Sequence, residues 1–264
     1  MLRLAVVVLL VSSLGARAHE FWIEPEVYRV AEGETIAART YNGEYFDGIE
    51  YGYSEDAYQQ SGVAAGDLRG GASGERGARP AFQVPPAGPG LNVLYHASPV
   101  STLTYPGMEK FEKFLRGKRL EAALEVHAAK GLPTEKIREA YFRFVKALVA
   151  VGDGAGADVA VGMPYELVAL TNPYTEDGDM QIEVRLQGAL VGPGAPVFVF
   201  HRQGEEVTRL ALETDAEGRF TVPALPGDYM ANAVHIMEAG EGLAERTGAH
   251  WVTLWAALNY RIEG

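Results

Sequence analysis

The chain has 264 residues, with 23 basic against 35 acidic side chains and a formal net charge of −12 at pH 7. Nucleic acid and anionic membrane surfaces both demand basic patches, so this balance speaks against either as a partner. Cysteine is absent, which excludes disulfides and thiolate ligands and leaves imidazole, carboxylate, amine and backbone groups as metal donors.

The chain opens with Met1-Leu2-Arg3, an apolar run from Leu4 to Leu14, and then Gly15-Ala16-Arg17-Ala18. A positive start, a short apolar middle and an A-x-A site make a secretory signal peptide over 1–18. The apolar run is shorter than the roughly 20 residues that a transmembrane helix needs, and no later segment approaches that length. The processed chain is therefore expected to be a soluble periplasmic protein whose first residue is His19.

From His19 to Val30 the pattern alternates, Glu32-Gly33-Glu34 makes a turn, and Thr35 to Tyr41 is a second strand. Residues 42–80, with Asn42-Gly43, Asp47-Gly48 and a Gly/Ala/Arg-rich stretch from Gly62 to Pro80, suggest loop with short strands at best. Strands resume at Ala81–Val84 and Gly90–His96, on either side of the turn Pro85-Pro86-Ala87-Gly88-Pro89. An α-helical insert is expected over about 107–151. Met108, Phe111, Phe114 and Leu115 repeat at helical spacing, as do Leu120, Ala123, Leu124 and His127. Thr134 is placed to cap a further helix with Ile137, Tyr141, Phe144, Val145 and Leu148 on its buried face, ending at Gly152.

Gly152-Asp153-Gly154-Ala155-Gly156 marks a boundary between a first domain, 19–160, and a second, 161–264. Strands are expected at Tyr165–Leu170, Met180–Leu186, Pro196–Arg202, Val207–Glu213, Phe220–Pro223, Tyr229–His235 and His250–Tyr260. Seven short strands with turns such as Thr214-Asp215-Ala216-Glu217-Gly218 and Pro226-Gly227-Asp228 fit an immunoglobulin-like or transthyretin-like sandwich. The fold class is mainly β: two β-sandwich domains, the first with the helical insert.

Cleavage before His19 exposes two nitrogens able to close one chelate ring, the α-amino group and the imidazole Nδ1. With an amine pKa of ~7.7–8.0, a metal displaces its proton at modest cost near neutrality. A third nitrogen from a distant histidine completes a set suited to copper or nickel. His235, ending a strand, is the leading partner, with Met237 and Glu238 nearby. His250 stands at the other base of the same loop, and His96 ends an earlier strand. His127 falls on an apolar helical face and reads as a satisfied core histidine; His201 reads as solvent-facing. No H-E-x-x-H, phosphate-cradling glycine loop or G-x-S-x-G occurs, so no catalytic residue is assigned.

The opening His19-Glu20-Phe21-Trp22-Ile23-Glu24-Pro25 resembles the start of bacterial periplasmic proteins of a nickel-uptake or nickel-transport-associated family, a domain of unknown function found in some cases beside cobalt/nickel energy-coupling-factor transporters. The likeness continues through Tyr95-His96-Ala97-Ser98-Pro99, Glu139-Ala140-Tyr141-Phe142-Arg143-Phe144, Val234-His235-Ile236-Met237 and Trp251-Val252-Thr253-Leu254-Trp255. It implies His19 and His235 as ligands, and a membrane metal transporter as partner. The expected function is extracytoplasmic binding of a divalent transition metal (nickel, cobalt or copper) for uptake or delivery, without catalysis. Its rivals are a copper histidine-brace redox enzyme and a metal-free periplasmic interaction module.

Overall fold

A computed structural model describes residues 19–58 and 60–264; the expected leader lies outside the described residues. The first half runs β1 (Glu20–Pro25), β2 (Arg29–Val30), β3 (Ile36–Glu44), β4 (Asp47–Tyr51), β5 (Gln60–Ala65), β6 (Leu68–Gly71), β7 (Phe82–Val84), β8 (Gly90–Ala97) and β9 (Ser101–Gly107). Helices α1 (Met108–Gly117) and α2 (Ala122–Ala129) precede the 17-residue strand β10 (Glu135–Val151). There follow β11 (Tyr165–Ala169), β12 (Met180–Leu186), β13 (Ala189–Leu190), β14 (Pro196–Gln203), β15 (Glu206–Glu213), β16 (Arg219–Val222) and β17 (Gly227–Glu238). Helix α3 (Glu241–Thr247) and strand β18 (Trp251–Ile262) complete the order.

The strands form three sheets. A ten-stranded sheet runs β15-β14-β17-β18-β10-β8-β5-β6, with β2 and β9 also on β10. One four-stranded sheet is β1-β3-β4 with β7 on β3, and another is β11-β12-β13 with β16 on β12. Successive side chains of a strand point to opposite faces, so the large sheet feeds two cores. On one face Val145, Ala147, Val149 and Ala257 pack against Phe21, Ile23, Ile36 and Phe82 of the first small sheet. On the other, Ala140, Leu148, Leu254, Ala256 and Leu258 pack against Tyr165, Leu167, Ile182 and Val184 of the second. The fold is mainly β, as expected: two sandwiches that share their middle layer.

That sharing changes what the glycine-rich stretch 152–156 means. β10 precedes it and β18 follows it, yet they pair in parallel from Glu139 opposite Trp251 to Ala147 opposite Asn259. Residues 19–160 and 161–264 therefore contribute neighbouring strands to one sheet.

The helical insert is shorter than expected. α1 and α2 are present, but 135–151 is the strand β10 and Thr134 caps nothing; its carbonyl instead accepts a hydrogen bond from the Met108 N–H at 3.1 Å. Ile137, Phe144, Val145 and Leu148 are buried, but so are Ala140 and Ala147 between them and Val149, Ala150 and Val151 beyond. A strand covered on both faces shows a near-continuous apolar run, and sheet pairing overrides the incidental helical spacing. Residues 42–80, read as loop, likewise hold the end of β3 and all of β4, β5 and β6. Glycine permits those strands: a Cβ on Gly43 would lie 2.0 Å from the Asp47 carbonyl oxygen across the β3–β4 hairpin. A Cβ on Gly62 would lie 2.2 Å from that of Gly70. All seven strands expected after residue 161 are present, and among the described residues no helix is long and apolar enough to cross a membrane.

Lys146 on β10 ties the middle sheet to the segment leading into β11. Fully buried, its Nζ lies 2.8 Å from Asp158 Oδ1, 3.3 Å from Glu166 Oε1 and 3.1 Å from the Val159 carbonyl. Asp158 also accepts from the Ala169 N–H at 2.8 Å, and Glu166 from the N–H groups of Val161, Gly162 and Met163. Burial pushes the Asp158 carboxyl up and the Lys146 ammonium opposes it. Removing the one cation from such a site strands two enclosed carboxylates, so Lys146→Met is expected to lose about 3–5 kcal/mol of stability. Urea unfolding measures it, and an unchanged midpoint contradicts the assignment.

Candidate metal centre at the amino-terminal strand

β1 is buried on both flanks. Phe21 and Ile23 enter the core under the first small sheet. Trp22, fully enclosed, packs with Phe198, Phe200 and Met230, stacks on Tyr41 at 5.3 Å, and donates from Nε1 to Glu24 at 2.9 Å. Glu20 is buried and ion-paired to Lys118, the residue that follows α1. The Lys118 ammonium in turn lies 4.7 Å from the ring centre of Trp255 and 5.6 Å from that of Phe198. The helical hairpin thus holds down the start of β1.

The register of β1 on β3 then sets the neighbour of His19. Glu20 pairs with Gly43, which puts His19 beside Glu44: the imidazole Nδ1 is 3.3 Å from Glu44 Oε1. The two are close but not aligned as a hydrogen bond, and among the described residues Nδ1 has no other partner. The His19 carbonyl accepts from Arg143 Nη2 at 3.3 Å. The nitrogen able to chelate together with the α-nitrogen therefore faces a carboxylate.

The other predicted ligands are elsewhere. His235 lies within β17, opposite Leu254 of β18, so it shares the face turned to the second small sheet; its ring is 5.9 Å from that of Tyr165, and burial pushes its pKa down. His19 is on the face turned to the first small sheet. The middle sheet stands between them, and the proposed His19–His235 set does not form. His250 accepts at Nδ1 from the Arg138 N–H at 3.2 Å. It precedes Trp251, which pairs with Glu238, so four ladder positions, about 13 Å, separate it from the residue opposite His235. His96 does share the face of His19, but it is buried, with Nδ1 bonded to Ser61 Oγ at 2.7 Å and its ring against Phe21 and Tyr58. Burial, reinforced by the Arg143 charge, pushes its pKa down to about 3, which holds it neutral and makes it a core residue.

His127 is satisfied as expected, accepting from Trp251 Nε1 at 3.0 Å and contacting the Pro133 carbonyl at 3.1 Å. His201 is buried rather than solvent-facing, stacked on Tyr229 at 4.5 Å, with Nε2 3.0 Å from the Pro226 carbonyl. Among the described residues no group of three or more His, Asp or Glu side chains is poised to hold a metal.

A family model described as Domain of unknown function (DUF4198) matches residues 16–237. The chain belongs to the DUF4198 family. That description assigns no activity, and no curated protein matches the chain. Among solved structures the chain is similar to the D0-D1 domain of Intimin, at 12% identity over 92% of this chain and 97% of that one, with a TM-score of 0.20, from which no shared fold follows.

Sequence reading also missed a buried acid of this DUF4198 chain. Glu139, on the same face of β10 as Arg143, accepts from Tyr105 Oη at 2.6 Å and from the Thr253 hydroxyl, which accepts in turn from Trp255 Nε1 at 2.9 Å. Burial pushes its pKa up to about 7, against the pull of both hydroxyls and of Arg143. The unfolded chain releases this proton near 4.5 and the folded chain only near 7. Stability is therefore lost as pH rises through that window, by on the order of 3 kcal/mol, and levels off above it. Glu139→Gln is expected to flatten that slope in urea melts taken between pH 4.5 and 7.5; an unaltered slope assigns the proton to another group.

Proposed function

We propose that this DUF4198 protein is an exported carrier that captures a divalent first-row transition metal at its processed amino terminus and delivers it to a membrane transporter. The observation that carries this reading is the 3.3 Å approach of His19 Nδ1 to the Glu44 carboxylate, made without a hydrogen bond. With cleavage before His19, the α-amine, Nδ1 and a Glu44 oxygen supply two nitrogens and one anionic oxygen to one ion. Such a mixed set suits nickel, cobalt and copper. It leaves positions open for water or an acceptor's ligand, as transfer requires.

The chain's own chemistry sets the pH dependence. The amine must lose its proton to bind, so affinity falls as pH drops below about 7.7. The buried flanks of β1 hold the donors in place before the ion arrives, which limits the ordering cost of binding.

The reading is tested by calorimetric titration of nickel(II) into the chain beginning at His19. One extra residue before His19 converts the amine to an amide and is expected to weaken binding at least a hundredfold. Glu44→Gln is expected to weaken it about tenfold, while His235→Ala leaves it unchanged. Undiminished affinity in the extended chain refutes the chelate.

A further inference from the structure

Beside this centre lies a guanidinium that, among the described residues, has no carboxylate within ion-pair distance. Arg143 carries five N–H donors; Nη2 donates to the His19 carbonyl and Tyr141 accepts one further hydrogen bond, which leaves most of the donors unused among the described residues. Its Nε is enclosed and has no acceptor. Burial lowers its pKa; Tyr141, Tyr51 and Glu20 oppose that, Glu20 is committed to Lys118, and Glu139, which also feels the Arg143 charge, is bonded to Tyr105 and Thr253. The rings of Tyr141 and Phe21 lie 4.7 Å and 5.6 Å from the guanidinium carbon. Flanked by rings, a planar fork of this kind recognises carboxylates through paired N–H groups at its edge.

We propose that Arg143 is a subsite for a small carboxylate that is itself bound to the metal, so that the protein can hold its cargo as a metal–carboxylate complex. This rests on the His19–Glu44 reading and names the substrate class of that same site. The span fits. Nη2 is 3.3 Å from the His19 carbonyl oxygen, and an α-nitrogen lies within its own residue, so amine and guanidinium are at most about 7 Å apart. A carboxylate with one oxygen on the ion and the other about 2.8 Å from a guanidinium nitrogen bridges that gap. The charge balance makes the two bindings interdependent. A chain with a net charge of −12 repels a free dicarboxylate, and the metal supplies the attraction that Arg143 alone does not.

Equilibrium dialysis of radiolabelled malonate against the chain beginning at His19 tests this, with and without one equivalent of nickel(II), and with nickel bound to protein counted in the same samples. The wild-type chain is expected to retain one malonate only when nickel is present. Arg143→Gln is expected to keep its nickel and lose malonate retention at least tenfold. Nickel bound without malonate in the wild type, or malonate retained equally by the variant, overturns the subsite while leaving the metal centre standing. No nickel bound to the wild type overturns the metal centre and the subsite with it. If Arg143→Gln loses nickel or fails to fold, Arg143→Lys decides, since it keeps the charge without the planar fork. It is expected to hold nickel and retain malonate at least tenfold more weakly, and undiminished retention overturns the subsite.

Discussion

Glu20 and Lys118 form a buried ion pair between the first strand and the end of the first helix, and the position of everything at the amino terminus depends on it. The ammonium is held from behind by Trp255 and Phe198, so the pair is anchored to the middle sheet and not merely to the helix. With Trp22 enclosed on one flank and Phe21 and Ile23 on the other, β1 is anchored on both faces. A slip of one residue would drive Trp22 out of its pocket and exchange every side chain's face. The β1–β3 register is thereby fixed, and the register is what places His19 beside Glu44.

The second constraint is the shared middle sheet. Because β10 and β18 run side by side at its centre, both faces of the sheet are core and each small sheet closes one of them. Polar groups that remain inside are tied in networks: Lys146 with Asp158 and Glu166 on one face, Glu139 with Tyr105 and Thr253 on the other. The same architecture separates the histidines. A residue of β17 with its side chain on the face of the second small sheet cannot meet the end of β1, however short the sequence logic makes the connection.

Much of this was legible in the sequence. Alternation and turn residues mark the strands after residue 161, and the opening motif marks His19 as the residue of interest. Two signals misled. β10 carries Ile137, Tyr141, Phe144, Val145 and Leu148 at helical spacing because a strand buried on both faces has apolar residues at nearly every position, so any period can be found in it. Glu44 was invisible because its glycine- and charge-rich surroundings resemble loop; only the pairing of Glu20 with Gly43 brings it to the site. His235 illustrates the opposite error. Its place at the end of an expected strand suggested a pocket, and it does line a cleft with Tyr165, Leu186 and Pro196, but from the face of the middle sheet turned away from His19. Arg143, within a run of aromatic and aliphatic residues, gives no sign in sequence that it reaches the His19 carbonyl.

The central claim is that the metal is held at the end of β1 by His19 and Glu44, on the face of the middle sheet opposite His235. Anomalous diffraction at the nickel edge, from crystals of the chain beginning at His19 soaked in nickel(II), tests it most directly. The account predicts one strong peak about 2.1 Å from the amine and Nδ1 of His19 and from a Glu44 oxygen. A peak at His235 or His250, with none at His19, contradicts it.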